Sequence, residues 1–355
     1  MNCRKEREVY IIGTVGIPAC YGGFESLVQN LVDYQSKDIK YNVFCSSASY
    51  AHKYKSYKNA SLLYLPLKAN GISSIAYDVL SLLFCLFKKT DVTLILGVSG
   101  CIFLPIYKIF SNSKIVVNID GLEWKREKWG GLTKAFLKCS EKIAVLFSNT
   151  IISDNQAIAD YVKSEYGIES EVIAYGGDHA LLEGHEIPST KENFFLSICR
   201  IEPENNVAMI LDAFSKSFEK LRFVGNWNSS PYGRSLRESY SKYKNIEMID
   251  PVYDIETLFE LRAKCKGYIH GHSAGGTNPS LVEAMQFGMP IYAFDCSFNR
   301  YTTENQALYF TDSESLQLLL KDDNYSVHGG IMREIANEKY QWAHIALKYE
   351  KTFDN

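Results

Sequence analysis

The sequence predicts an α/β protein made of two Rossmann-like, doubly wound parallel-sheet domains. Three observations carry that expectation. Short β-rich apolar runs alternate with longer helical patterns; a polar, breaker-rich segment interrupts the alternation near mid-chain; and 355 residues exceed the roughly 250–300 that one hydrophobic core serves.

In the first half, EVYIIG precedes FESLVQNLVDYQ, and VTLILG precedes IFLPIYKIF. KIVVNID then precedes GLTKAFLKCSEKIAVLF, and TIISD precedes NQAIADYVKSEYG. The short runs are rich in Val, Ile and Tyr, which suit a pleated surface. The longer segments place apolar residues at helical spacing. The opening MNCRKEREVYIIG reads as a first strand, too brief in its apolar part for a signal peptide. The stretch from Val92 to Phe110 is as long as a membrane span, yet Gly97, Gly100, Pro105 and Lys108 punctuate it, so it reads as buried strand plus helix.

The segment LLEGHEIPSTKEN, Leu181 to Asn193, reads as a hinge. Beyond it FFLSICR, KLRFVGN, IEMIDPV, GYIHGH and PIYAFD read as strands, with NVAMILDAFSKSF, SLRESYSKYK, IETLFELRAKC and SLVEAMQFG as the helices between them. The expected division is 1–182, a hinge at 183–193, a second domain at 194–331, and a helical segment at 332–355 that packs back on the first domain. Two such sheets face each other across a cleft, with ligands at the carboxyl ends of their strands.

With 38 basic against 41 acidic residues, the net charge of -3 excludes a general nucleic-acid binder. Nine cysteines, scattered singly, suggest neither disulfides nor a zinc knuckle, and fit a cytoplasmic location.

Four loops carry candidate chemistry. In GTVGIPACYGGFES, Gly22 and Gly23 precede a helix opened by Phe24 and Glu25, where backbone N–H groups can meet a phosphate. Neither GxGxxG nor the P-loop pattern is present, and ligand-free tight turns are the competing reading. In NIDGLEWKREKWGGLTK, Asp120 and Glu123 end a strand, and Trp124 and Trp129 alternate with Lys125, Arg126, Lys128 and Lys134. That mixture suits an anionic lipid interface or a solvated basic face with two packing indoles. In FLSICRIEPENN, Arg200 ends a strand and can clamp a pyrophosphate, or pair with Glu202 or Glu204. In YIHGHSAGGTNPSLVEAMQFGMP, Gly275, Gly276, Thr277 and Asn278 lead into a helix at Pro279. The N–H groups of Ser280 and Leu281 would meet a phosphate, and Glu283 would accept from a ribose diol or act in capping. His270 and His272 share a strand face, but no third metal ligand is evident.

The series YGGFE, CRIEPENN and GGTNPSLVEAM resembles the GT-B-fold glycosyltransferases of family 4, and IIGTVGIPACYGGFE with NIDGLEWKREKWG is similar to their bacterial rhamnosyltransferase-type branch. The resemblance spans nearly the whole chain. It implies a retaining, metal-independent transferase with no cofactor, which moves L-rhamnose from dTDP-L-rhamnose to a lipid-linked saccharide for capsule, O-antigen or exopolysaccharide. It also implies peripheral contact with the cytoplasmic membrane face. Carried over residue by residue, Asp120, Arg200 and Glu283 are catalytic. Gly22, Gly23, Arg200, Gly225, Val252, Gly275, Gly276, Thr277, Asn278, Ser280, Leu281 and Glu283 bind the donor, while Tyr21, Glu25, Glu123 and Trp124 bind the acceptor. Three positions depart from the family pattern: Gly275 stands where its first glutamate would be, Asn205 where its lysine would be, and Asp120 where a histidine is common. One carboxylate and one cation are lost together, so net charge at the donor site is kept.

A departing nucleoside diphosphate needs donors aimed at its developing charge. The chain has no DxD pair to hold a divalent ion, which leaves Arg200 and backbone N–H groups. The rival readings are a sugar-nucleotide epimerase and a non-catalytic two-domain sugar-binding protein. A nicotinamide dehydrogenase has only YSKYK at 240–244 in its favour.

Overall fold

The computed structural model describes residues 6–20, 22–119, 121–125, 130–321 and 326–354, the side chains of 326 and 327 excepted. They form two compact units, 1–174 with 342–355, and 175–341.

The first unit begins with β1 (Arg7–Ile12), α1 (Gly23–Asp33), β2 (Ile39–Ser46), β3 (Ser56–Tyr57) and β4 (Ala60–Leu65). It continues through α2 (Ser73–Leu86), β5 (Val92–Leu96), α3 (Leu104–Phe110) and β6 (Lys114–Asn118). The remainder is α4 (Gly131–Phe147), β7 (Thr150–Ser153), α5 (Gln156–Tyr166) and β8 (Glu171–Val172). The strands pair in the order β3-β4-β2-β1-β5-β6-β7-β8, parallel throughout except for the β3–β4 hairpin. Val9, Ile11, Val43, Leu94 and Val116 are buried in the middle of this sheet, which explains why its strands read as nearly continuous apolar runs. Val92–Phe110 is a strand and a helix, and among the described residues no helix is long and apolar enough to cross a membrane.

The second unit comprises β9 (Phe195–Ile198), α6 (Val207–Ser215), β10 (Leu221–Val224), α7 (Pro231–Tyr240) and β11 (Ile246–Ile249). Next come α8 (Ile255–Lys264), β12 (Gly267–His270), α9 (Pro279–Met285), β13 (Ile291–Phe294) and α10 (Ser297–Thr302). It closes with β14 (Leu308–Phe310), α11 (Ser313–Leu320) and α12 (Ser326–Lys339). Its sheet is all parallel, ordered β11-β10-β9-β12-β13-β14, over a core that includes Phe195, Phe214, Phe223, Trp227 and Phe310. Both sheets are doubly wound α/β, as the alternation predicts.

Several elements escape the sequence pattern. β2, β3, β4 and α2 fill a stretch with no assigned periodicity, and α10, β14 and α11 follow β13. The helical spacing at Met332–Phe353 belongs to two helices, because the chain breaks after α12 and α13 spans Trp342–Lys351. At the break the Tyr340 hydroxyl donates to the Thr302 carbonyl (2.7 Å), and the Tyr340 carbonyl accepts from the Gly177 amide (2.8 Å). α13 then joins the first unit: the Tyr349 hydroxyl accepts from the Asn118 amide at 2.6 Å, and Glu350 accepts from the Ser36 amide.

Candidate functional site

Strand order selects where a ligand can sit. In the second unit the chain leaves β9 toward β10 on one side and later returns to β12 on the other, so the carboxyl ends of β9 and β12 form the topological switch point. Arg200 lies just past β9, and Gly275–Asn278 lie between β12 and α9. Gly225 follows β10 and Val252 follows β11. The donor-binding positions expected in this unit thus share the carboxyl edge of the four neighbouring strands β11-β10-β9-β12.

The loop after β9 is clamped from both sides. A Cβ on Gly225 would sit 2.4 Å from Ile201 Cδ1, and one on Gly271 would sit 2.3 Å from the Asn205 carbonyl oxygen. The Asn226 side chain accepts from the Ile201 amide at 2.7 Å, and Asn206, at φ 51°, donates to the Gly271 carbonyl at 2.9 Å. Asn205 is buried and donates to the Arg200 carbonyl at 2.7 Å, so it braces the loop from the position where a cation would be expected. On this rigid base the Arg200 guanidinium is half-exposed, with Glu202 3.9 Å away. That separation is too long for a strong pair, which leaves its donors available to an anion.

The loop before α9 has glycine for a reason. Gly275 sits at φ 126°, a conformation L side chains rarely adopt, with open space where a Cβ would point. Asn278 caps α9: its Oδ1 accepts from the Ser280 amide (3.1 Å) and hydroxyl (2.8 Å), while its carbonyl accepts from the Leu281 amide (3.1 Å). This corrects one expectation. The N–H groups of Ser280 and Leu281 are not free for a phosphate, because an Asn cap consumes the donors that a bare helix start would expose. Thr277 is buried beside them.

Glu283 is engaged as well, though by neither route expected of it. Its carboxylate pairs with the buried Arg262 of α8, and its other oxygen lies 3.3 Å from His179 Nε2. Burial alone would raise its pKa, but the Arg262 charge and then His179 outweigh that and hold it below the usual carboxylate value. His270 ends β12 at the switch point, fully buried, its ring stacked on that of His272 with centroids 4.4 Å apart. Neither His270 ring nitrogen has a hydrogen-bond partner among the described residues, and burial pushes its pKa down to about 3. Among the described residues no group of three or more His, Cys, Asp or Glu could hold a metal ion.

In the first unit the switch point lies between β1 and β5. A Cβ on Gly13, at φ 91°, would fall 2.0 Å from the Leu96 carbonyl oxygen, so the two loops touch through backbone. Glu25 organises the β1 loop: buried, it accepts from the Thr14 hydroxyl (2.9 Å) and from the amides of Val15 (2.6 Å) and Gly22 (2.8 Å). The Gly22 amide is therefore also committed, while Gly23 opens α1. Glu123 and Trp124 form a single turn after β6. The Trp124 indole donates to buried Glu141 at 3.1 Å, with Lys138 4.7 Å and Lys125 5.4 Å from its ring centroid. This indole packs within the unit, so it is not available as a free interfacial ring. Asp120, Tyr21, Arg126, Lys128 and Trp129 lie outside the described residues.

One candidate carries no expectation from sequence. Asp78, on α2, is buried beside the loop after β5; the Ser99 hydroxyl donates to it, and a Cβ on Gly100 would fall 2.3 Å from its own. Burial pushes its pKa up to about 7 against those hydrogen bonds. The only sequence signal was a lone carboxylate in the apolar run SSIAYDVLSLLFCL.

Residues 6–178 match a family described as Domain of unknown function (DUF1972), and residues 183–327 match Glycosyl transferases group 1. No curated protein matches the chain. Sucrose-phosphate synthase (tll1590) from Thermosynechococcus elongatus superposes with a TM-score of 0.79 at 14% identity, over 98% of both chains. HepE (Alr3699) from Anabaena, solved with UDP-glucose, gives 0.72 at 14% identity over 98% of both chains. A glycosyltransferase from Rickettsia africae ESF-5 gives 0.71 at 12% identity, again over 98% of both chains. At such identities the likeness is one of fold, and the fold is GT-B. Residues 183–327 are thus similar to the group 1 glycosyl transferases, and the protein is a glycosyltransferase of GT-B fold.

Proposed function

We propose that the protein transfers L-rhamnose from dTDP-L-rhamnose to a hydroxyl of a lipid-linked saccharide in capsule, O-antigen or exopolysaccharide synthesis. In this reading it works with retention, without a metal, at the cytoplasmic face of the membrane. The observation that carries the donor half is the carboxyl edge of β11-β10-β9-β12, where a braced loop after β9 presents Arg200 and the open backbone of Gly275 follows the neighbouring strand β12. The UDP-glucose complex of the Anabaena protein supports a nucleotide sugar as donor. The specific sugar and acceptor rest on the resemblance of the sequence motifs.

As the glycosidic bond breaks, negative charge grows on the leaving diphosphate. With the Ser280 and Leu281 amides spent on the cap, Arg200 carries more of that charge, helped by backbone at Gly275 and Gly276. The diphosphate itself takes the acceptor's proton on the same face, and Asp120 is the carboxylate assigned beside the sugar. Charge-assisted hydrogen bonds contribute about 1.5–3 kcal/mol, so Arg200→Ala should weaken nucleotide binding and lower kcat/KM by roughly 10- to 100-fold. Asp120→Asn should lower kcat while donor binding persists.

A thermal-shift panel of dTDP, UDP and GDP, with magnesium or EDTA, tests the core of this reading, since a ligand that binds only the folded state raises Tm. A dTDP shift that survives EDTA is expected; no shift with any of the three sinks it. Turnover of the donor with no acceptor present would favour an epimerase.

A further inference from the structure

The outer side of three neighbouring helices in the first unit is apolar. α2 buries Tyr77, Leu82 and Cys85, yet Leu80, Leu83 and Phe87, spaced to form one stripe, face solvent, Phe87 being 86% exposed. An exposed helix face is ordinarily polar. α3, packed against α2, repeats the pattern with Ile106, Ile109 (75% exposed) and Phe110 (71% exposed). α4, packed against α3 and tied to it where the Lys108 ammonium donates to the Phe147 carbonyl at 3.0 Å, adds Leu132 and Leu146. Right-handed crossovers that advance in one direction along the sheet place α2, α3 and α4 on the same face. Scattered exposed apolar residues are ordinary, but a band across three adjacent helices is not.

Charge on this layer has one sign. The three helices contain two carboxylates, Asp78 and Glu141, and both are buried. Lys108 and Lys142 are exposed on α3 and α4, and Lys88 and Lys89 follow Phe87 directly. In a chain of net charge -3 this is a local basic surplus. Large apolar side chains interleaved with ammonium groups match the boundary of an anionic bilayer, where rings enter the acyl region and lysines stay with the headgroups. A second copy fits less well, since a two-fold contact through this face would set lysines against lysines.

We propose that the outer side of α2, α3 and α4 docks on an anionic lipid bilayer. The proposal rests on the reading that the acceptor is lipid-linked, and it moves the membrane contact away from Trp124, whose indole is already hydrogen-bonded inside the unit.

The test is co-sedimentation of the full chain with vesicles of phosphatidylcholine alone or mixed with phosphatidylglycerol, melting curves confirming that each variant is folded. Binding to the mixed vesicles but not to phosphatidylcholine alone is expected. Phe87→Ser with Phe110→Ser should weaken it at least tenfold, Lys88→Glu with Lys108→Glu should abolish the preference for anionic lipid, and Lys125→Gln should leave binding unchanged. Absence of binding to the mixed vesicles, or binding that neither double variant alters, overturns the proposal. So does a solution dimer, seen by light scattering, that Phe87→Ser with Phe110→Ser dissociates. A nucleotide thermal shift on the same samples separates the two readings: vesicle binding without a shift removes the proposed donor reading alone, and a shift without vesicle binding removes this surface alone.

Discussion

Asp78 and His270 are buried ionisable groups, and they bend the pH dependence of stability in opposite senses. Burial raises the Asp78 carboxyl to about 7 in the fold, against about 3.9 in an unfolded chain. Between those values the folded state holds the extra proton, so stability falls as pH climbs from 4 to 7. Asp78→Asn, which keeps an acceptor for Ser99, should therefore stabilise, by about 2 kcal/mol more at pH 8 than at pH 5.5. His270 is neutral in the fold with a pKa of about 3, so the unfolded chain binds the proton first, below about 6.5, and stability falls as pH drops. Some 2 kcal/mol should be lost by pH 5. His270→Phe keeps the ring stacked on His272 and removes two unpartnered nitrogens, so it should flatten that loss with no penalty at pH 7.5. Urea denaturation across this pH range reads both variants. His270 was visible in the sequence as half of a possible metal pair; its burial was not, because that depends on which elements close over it.

At the scale of elements, the Arg262–Glu283 pair joins α8 to α9 and holds the helix that follows the Gly275–Asn278 loop. Removing one partner strands a buried charge, so Arg262→Ala should cost on the order of 3–5 kcal/mol in denaturant unfolding. Arg262→Met combined with Glu283→Leu should recover most of that loss, since a desolvated pair contributes little beyond an apolar replacement. The start of α9 was legible from Asn278 and Pro279, which act through neighbours in the chain. Glu283's partners were not: Arg262 lies 21 residues away, and His179 comes from a segment packed on α9 so closely that a Cβ on Gly177 would meet the Val282 carbonyl oxygen at 2.4 Å. Residues 36–91 also hid their elements. α2 turns apolar Leu80 and Leu83 outward and buries its polar Asp78 and Ser81, which inverts the usual helical pattern, and β2 alternates only over Ile39–Val43 before Phe44 breaks the period.

For the whole molecule, the last helix decides what folds with what. α13 carries Trp342, Ile345 and Tyr349 into the first unit's core, though it follows the second unit in the chain. A chain ending at Gln341 should lose the Asn118–Tyr349 hydrogen bond and uncover that apolar face, lowering the first unit's Tm and promoting aggregation, as calorimetry and light scattering would record. Tyr349→Phe removes only the hydroxyl and should cost about 1 kcal/mol.

Contiguous residues were enough to determine the α/β class, the strand–helix–strand rhythm, the glycine and asparagine turns, and the resemblance that points to sugar transfer, because periodicity and turn chemistry act over a few positions. Tertiary structure alone decided the strand order that puts Arg200 and Gly275 at one switch point. It also decided the capture of Glu25, Glu283 and Trp124 by distant partners, and which side of α2, α3 and α4 meets solvent. Those outcomes depend on groups brought together across long stretches of chain, and a buried charge or donor takes whichever partner the packing supplies.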